Sequence, residues 1–197
     1  MVHYQKHHMM QQKTKRKRFK LPEYLLPEEV AALLKAAPHP VARLLVVFLW
    51  RAGLRISEAL GREVSDVELE GEKPTVRVRQ GKGGKDRLVP VHPELVDVLR
   101  NALAYGSLTR GRLFKVSRTT AWRWVKEAQA KAEEMGLLPP GRRIGTHTLR
   151  HSAARHWLAS GIPINVVSRW LGHSNLRTTL IYLEILPDPV GWMGKVS

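Results

Sequence analysis

VARLLVVFLWRAGLRISE, residues 41–58, decides the fold class. Residues 41–52 are apolar almost all round, which marks a helix enclosed by the domain rather than one lying on its surface. Such a helix needs neighbours on every side, so the chain around it must supply a packed, mainly helical body. Gly53 ends the segment. Leu54, Arg55 and Ile56 then lead to Ser57, read here as the N-cap of a helix that starts at Glu58. Arg55 therefore sits in a joint held by structure on both sides. Taken alone, a surface ion pair with Glu58 accounts for it.

Reading outward, Pro27-Glu28-Glu29 opens an earlier helix that stops near Pro38, with proline at an early position and acids at the positive end of the dipole. Downstream, residues 75–79 (TVRVR) and 87–91 (RLVPV) have strand character, the first by strict alternation. They flank GKGGKD, which is turn chemistry, so the pair reads as a hairpin whose tip carries Lys82 and Lys85. Beyond it the chain is helical again. One helix starts at His92-Pro93-Glu94. A second is capped by Ser117 and runs to about Met135, and a third is capped by Thr146 and ends at Gly161. A short helix follows Pro163, and a last one runs from a Ser174 cap to about Leu186. The sum is an α+β domain, mainly helical, with one small antiparallel sheet over residues 21–186.

Charge narrows the class of partner. The 197 residues hold 33 Lys+Arg against 17 Asp+Glu, a net charge of +16. Seven of the basic residues, and no acid, lie in residues 1–20. The remainder still carries 26 bases against 17 acids, +9. A basic body with a basic, flexible arm points to a polyanion, with nucleic acid first; a solubilising tail accounts only for the arm. There is no cysteine, which excludes disulfide scaffolds, thiol catalysis and cysteine-based zinc sites. The longest apolar run, residues 44–50, is too short to span a bilayer, and no apolar signal core follows the first residues. A soluble, cytoplasmic protein is the expectation.

Five stretches carry groups suited to holding a phosphodiester. They are Arg55 in GLRISE, the hairpin tip GKGGKDR, His147 and Arg150 in HTLRH, His173 in LGHSN, and Tyr182 in TTLIYLEI. The glycine-rich tip is no nucleotide loop, because that pattern joins a strand to a helix. His147 and Arg150, three apart, share the first turn of a helix, where free N–H groups also favour an anion. Each stretch has an ordinary explanation: an ion pair, a polar turn, a basic helix, or a core aromatic in the case of Tyr182.

Taken in order, these stretches resemble the tyrosine recombinases, or phage-type integrases, over roughly residues 21–186. The intervals of 23 residues from Arg150 to His173 and nine from His173 to Tyr182 fit the Xer-type members. The resemblance implies that family's catalytic-domain fold and a DNA strand cleaved and rejoined through a 3′-phosphotyrosyl link. It implies Tyr182 as nucleophile, Arg55 and Arg150 as clamps on the phosphate oxygens, and Lys82 as the acid that protonates the leaving 5′-oxygen. His147 would assist proton transfer at the tyrosine, His173 would bond the phosphate, and Glu58 would support Arg55. No metal, nucleotide or other cofactor is implied, since the covalent link stores the energy of the cleaved bond. Double-stranded DNA is the implied partner and a homotetramer on DNA the implied assembly. Lys13, Lys15, Arg16, Lys17 and Arg18 of the arm, with Lys85 and Arg87 at the hairpin, are candidate phosphate contacts. Residues 187–197, with Trp192 and Met193, are a candidate inter-subunit contact. Family members carry a helical core-binding domain ahead of the catalytic one. The expectation here is an isolated catalytic domain or an unusually short enzyme.

Four other functions remain open on sequence. A metal-dependent nuclease or transposase would draw on Asp66, Glu68, Glu70 and Glu72, which read as a solvated turn before a strand. A zinc enzyme would use His147 and His151 at i,i+4 with His156, but the glutamate of H-E-x-x-H is missing. A DNA-binding module without catalysis shares the charge, and a type IB topoisomerase shares the chemistry.

Overall fold

The computed structural model describes residues 21–79, 86–105, 108 and 110–186. Among them the helices are α1 (Pro27–Ala36), α2 (Pro40–Ala52), α3 (Ile56–Leu60), α4 (Pro93–Ala104), α5 (Arg118–Glu134), α6 (Thr146–Ala159), α7 (Ile164–Leu171) and α8 (Arg177–Leu180). The strands are β1 (Val67–Glu68), β2 (Thr75–Val78) and β3 (Arg87–Pro90). Short 3-10 turns form at Val64–Asp66 and Leu183–Ile185. No helix among the described residues is long and apolar enough to cross a membrane.

α2 is the central rod that its sequence demands. Nine of its thirteen residues are buried, and it packs against α1, α4, α5 and α6. His39 starts it by accepting the Ala42 N–H on Nδ1 at 3.2 Å. Gly53 ends it in the left-handed conformation, φ 59°, with its N–H on the Leu49 carbonyl. A Cβ on Gly53 would meet the Trp157 ring of α6 at 2.6 Å, so two physical constraints select glycine there.

The hairpin is present, with β2 and β3 antiparallel in the register Val78↔Arg87, which leaves residues 79–86 as the connection. Lys82 and Lys85 of that connection lie outside the described residues, as do Lys13, Lys15, Arg16, Lys17 and Arg18 of the arm and residues 187–197 with Trp192 and Met193. β1 adds a third strand, antiparallel to β2.

Several expectations are corrected. The segment read as a solvated acidic turn is partly structural: Glu68 belongs to β1, and Asp66 is buried between Arg62 at 3.3 Å and Arg79 at 2.6 Å. Arg62 also donates to the Arg77 carbonyl, so this cluster ties the end of α3 to the hairpin. Helix starts differ too. Ser57 does not cap α3; the N-cap is Arg55, whose N–H donates to the Glu58 carboxylate at 2.9 Å. Thr146 is the first residue of α6 rather than its cap, and Thr148 Oγ1 accepts the Gly145 N–H. In each case a side chain three residues inside the helix reaches back, which removes the need for a capping hydroxyl. The long last helix does not form. α8 has only four residues, and a turn at Ile181 and Tyr182 leads to the 3-10 segment. Two adjacent β-branched threonines weaken the helix, and Thr179 Oγ1 bonds to His173 Nδ1 at 2.8 Å.

Candidate active site

The joint after α2, the start of α6, the end of α7 and the turn after α8 meet at one place. Arg150 is the keystone. Although charged, it is only 3% exposed. Its Nη1 donates to the Gly53 carbonyl at 2.7 Å and its Nη2 to the Leu171 carbonyl at 2.6 Å. These are carbonyls at the C-terminal ends of α2 and α7, where helices leave acceptors unsatisfied and the dipole attracts a cation. Burial, and then the neighbouring Arg55, pull the Arg150 pKa down to about 10; Glu58 and Tyr182 act against that fall.

Glu58 gathers three arginines. Its carboxylate accepts from Arg55 Nη1 at 3.1 Å, from Arg87 Nη1 and Nη2 at 3.0 Å each, and stands 3.7 Å from Arg150. Burial alone would raise its pKa. The hydrogen bonds from Arg87 and the Arg55 backbone, with the charges of Arg87 and Arg150, outweigh burial and hold it below the usual carboxylate value. Glu58 is therefore an ionised counter-charge beneath the cluster.

Arg87 corrects the sequence reading, which grouped it with the phosphate contacts. Its guanidinium lies inside the protein, forked onto Glu58, with Nε donating to the Trp170 carbonyl at 2.8 Å. With its fork on a carboxylate and its Nε on a carbonyl, Arg87 braces β3, α3 and α7 together. Gly172, φ 65°, makes room for it: a Cβ there would lie 2.8 Å from the guanidinium carbon.

Tyr182 is 2% exposed. Its hydroxyl bonds to His151 Nδ1 at 2.8 Å, and its ring lies nearly parallel to that of His173, centroids 6.5 Å apart at 14°. Burial raises its pKa, while the charges of Arg150 and Arg55 act in the opposite sense. The phenol is thus inside the fold yet within the field of both arginines. Burial, followed by the charges of Arg150 and Arg55, pushes His173 down to about 4. Burial, followed by His147 and Arg150, pushes His151 down to about 4. Both imidazoles are therefore neutral at pH 7.

His147 is exposed at the rim of the cluster. What desolvation it has, followed by the charges of Arg118, Arg150 and Arg55, lowers its pKa. It borders a cleft of about 610 Å³ whose lining includes Arg118, Trp122, Lys126 and Arg143. Sequence reasoning did not single out these cations. Their signal was weak, because each stands among ordinary surface residues and only folding brings the N-termini of α5 and α6 together.

The structure therefore brings together Arg55, Glu58, Arg150, His173 and Tyr182, with His147 at the edge, and adds His151 and Arg87. The zinc-type reading loses its ligand pair: His151 Nδ1 faces Tyr182, and His156 packs against Trp50 with ring centroids 5.1 Å apart. A buried phenol, two guanidiniums and neutral imidazoles around one spot suit the transfer of a phosphoryl group to an oxygen nucleophile.

Comparison with known proteins agrees. The sequence pattern of the phage integrase family matches residues 23–187. Tyrosine recombinase XerA of Pyrococcus furiosus is 36% identical over 176 residues, covering 84% of this chain and 58% of that protein. The chain thus spans about three fifths of the length of such relatives. Among solved structures, the XerA recombinase superposes with a TM-score of 0.72 at 30% identity, covering 92% of this chain and 65% of that one. A post-cleavage complex of the XerH site-specific recombinase with its palindromic difH substrate gives 0.71 at 26% identity, covering 90% of this chain and 54% of that one.

Proposed function

Because the chain belongs to the phage integrase family of tyrosine recombinases, we propose that it breaks and rejoins double-stranded DNA at specific sites through a 3′-phosphotyrosyl intermediate. The observation that carries this reading is the position of Tyr182. Its phenol lies among Arg55, Arg150 and His173, although these residues come from four separate parts of the chain.

In this reading the Tyr182 oxygen attacks the scissile phosphate. A bond forms from oxygen to phosphorus, the bond to the 5′-oxygen breaks, and Lys82 protonates that leaving oxygen. Arg55 and Arg150 neutralise the non-bridging oxygens as charge develops. Their fork geometry suits this, and Glu58 keeps Arg55 aimed. Thr179 holds Nδ1 of His173, which orients the ring so that Nε2 donates to the phosphate. His147, at the rim, assists the proton transfers. Rejoining reverses the steps, with a 5′-hydroxyl attacking the phosphotyrosine. The cleft beside His147 seats the DNA backbone, with Arg118, Lys126 and Arg143 on phosphates. The arm residues Lys13, Lys15, Arg16, Lys17 and Arg18, with Lys85, add further phosphate contacts, and the working assembly is a tetramer on two sites.

The test is a nicked suicide duplex incubated with the protein in EDTA. A covalent protein–DNA band that disappears in Tyr182→Phe is the expected result. Adduct formation by Tyr182→Phe would remove the nucleophile assignment, and cleavage abolished by EDTA would favour a metal-dependent nuclease.

A further inference from the structure

The side chain hydrogen-bonded to the Tyr182 hydroxyl is His151, one turn beyond His147 on α6. We infer that His151 is the proton acceptor for the nucleophile, an inference that rests on Tyr182 being that nucleophile. During attack the phenolic O–H bond breaks, a new N–H forms on His151 Nδ1, and the freed oxygen bonds to phosphorus. During rejoining the phenolate leaves phosphorus and takes the proton back.

Geometry is the main support. The 2.8 Å contact is a direct hydrogen bond. With Tyr182 at 2% exposure, bulk water has little access to replace it. The two rings lie 5.7 Å apart at 47°, and the ring centroid of His147 is 6.4 Å from that of His151. His151 also stands on α6 directly after Arg150, whose guanidinium is fixed at both ends. The proton acceptor and a phosphate clamp therefore share one rigid helix.

The electrostatics fit a base that strengthens only with DNA present. The groups facing His151 are His147 and Arg150 on its own helix, and Tyr182 and His173 on the segment packed against it. Burial and the first two of these hold it neutral, and in the tautomer protonated at Nε2 its Nδ1 accepts from the phenol. A phosphate docking on Arg55 and Arg150 brings negative charge beside the imidazole. That offsets the arginine field and raises the basicity of His151 at the moment the phenol must ionise. Without DNA the phenol keeps its proton, which protects a buried nucleophile from premature ionisation.

The test uses the full 197-residue chain and single-turnover adduct formation on the nicked duplex. Loss of a positioned acid–base group typically costs 10²–10⁴-fold, so His151→Ala is expected to slow adduct formation by about 10²-fold or more. Non-covalent DNA binding, measured in a Tyr182→Phe background, should not change. Imidazole added to the buffer should recover part of the lost rate. His151→Gln keeps a hydrogen-bond acceptor and similar bulk but takes up no proton, so it is expected to remain slow. Replacing Tyr182 with the more acidic 3-fluorotyrosine should speed His151→Gln more than it speeds the parent. A His151→Gln protein at the parent rate would overturn the inference, since placement alone would then suffice; so would an undiminished His151→Ala. Should the alanine variant not fold, the glutamine and fluorotyrosine arms decide by themselves. A parent protein that forms no adduct would sink the recombinase reading itself, and this inference with it. An adduct that needs Tyr182 but not His151 sinks only the latter.

Discussion

Arg87 and Glu58 are joined by two hydrogen bonds at 3.0 Å, with side chains only 9% and 11% exposed. Removing Arg87 takes two hydrogen bonds from a buried carboxylate that Arg55 and Arg150 still face, so the cost is that of bonds lost from a charged group, about 1.5–3 kcal/mol, rather than that of an orphaned buried charge. Arg87→Ala is therefore expected to lower unfolding stability by about that amount in urea titration. It should also slow cleavage, because Glu58 then holds Arg55 with less constraint. Arg87→Lys should recover little, since an ammonium cannot reproduce the fork onto the carboxylate together with the Trp170 carbonyl. A variant that changed only DNA affinity and left stability intact would restore Arg87 to the phosphate contacts that the sequence suggested. At this scale the residue types of Arg55, Arg150, His173 and Tyr182 were legible in motif and spacing. The partners of Arg87 and His151 were not, because a side chain's direction depends on what packs over it.

α2 and its neighbours show how elements set the site. Gly53 both closes α2 and offers the carbonyl that seats Arg150. Gly53→Ala would place a methyl 2.6 Å from the Trp157 ring at φ 59°. The left-handed backbone costs about 1–2 kcal/mol, and overpacking adds about 1–3 kcal/mol. Gly141, at φ 83° with open space around it, is the control: Gly141→Ala should show the backbone cost alone. Thermal melting of the two variants separates the effects. Cleavage should fall only in Gly53→Ala, because Arg150 shares the distorted joint. The apolar run of α2, the hairpin and the cap of α5 were readable because they follow local rules: period, turn chemistry, and a serine whose hydroxyl accepts the Thr120 N–H at 3.0 Å. The segment after His173 was misread as one helix. Its course depends on Tyr182 turning inward to His151 and on Thr179 turning to His173, and neither is a local preference.

The whole molecule is basic, +16, and two predictions belong to that scale. DNA binding should weaken linearly in log–log plots against salt, with a slope of about 0.9 per neutralised phosphate on duplex DNA. Charge reversal at Arg118 and Arg143, which line the 610 Å³ cleft, should reduce that slope. The second concerns pH. His151 and His173 are held at about 4, below the value of 6.5 for an unperturbed histidine. Between those values the unfolded chain binds protons that the folded one does not, so stability must fall as pH drops from about 6.5 towards 4 and level off below. Denaturant titrations across that window check it, and His151→Gln should flatten the slope. By itself the sequence determined the central helix, the hairpin, the basic character and the set of reactive residue types, because periodicity, turn residues and charge are properties of the chain read in order. Only the tertiary structure decided that Arg87 braces Glu58, that Asp66 is buried between arginines, and that Tyr182 lies against His151. These contacts join residues 29 to 31 positions apart or lie under several packed elements, and their energy comes from burial and charge proximity that no linear pattern encodes.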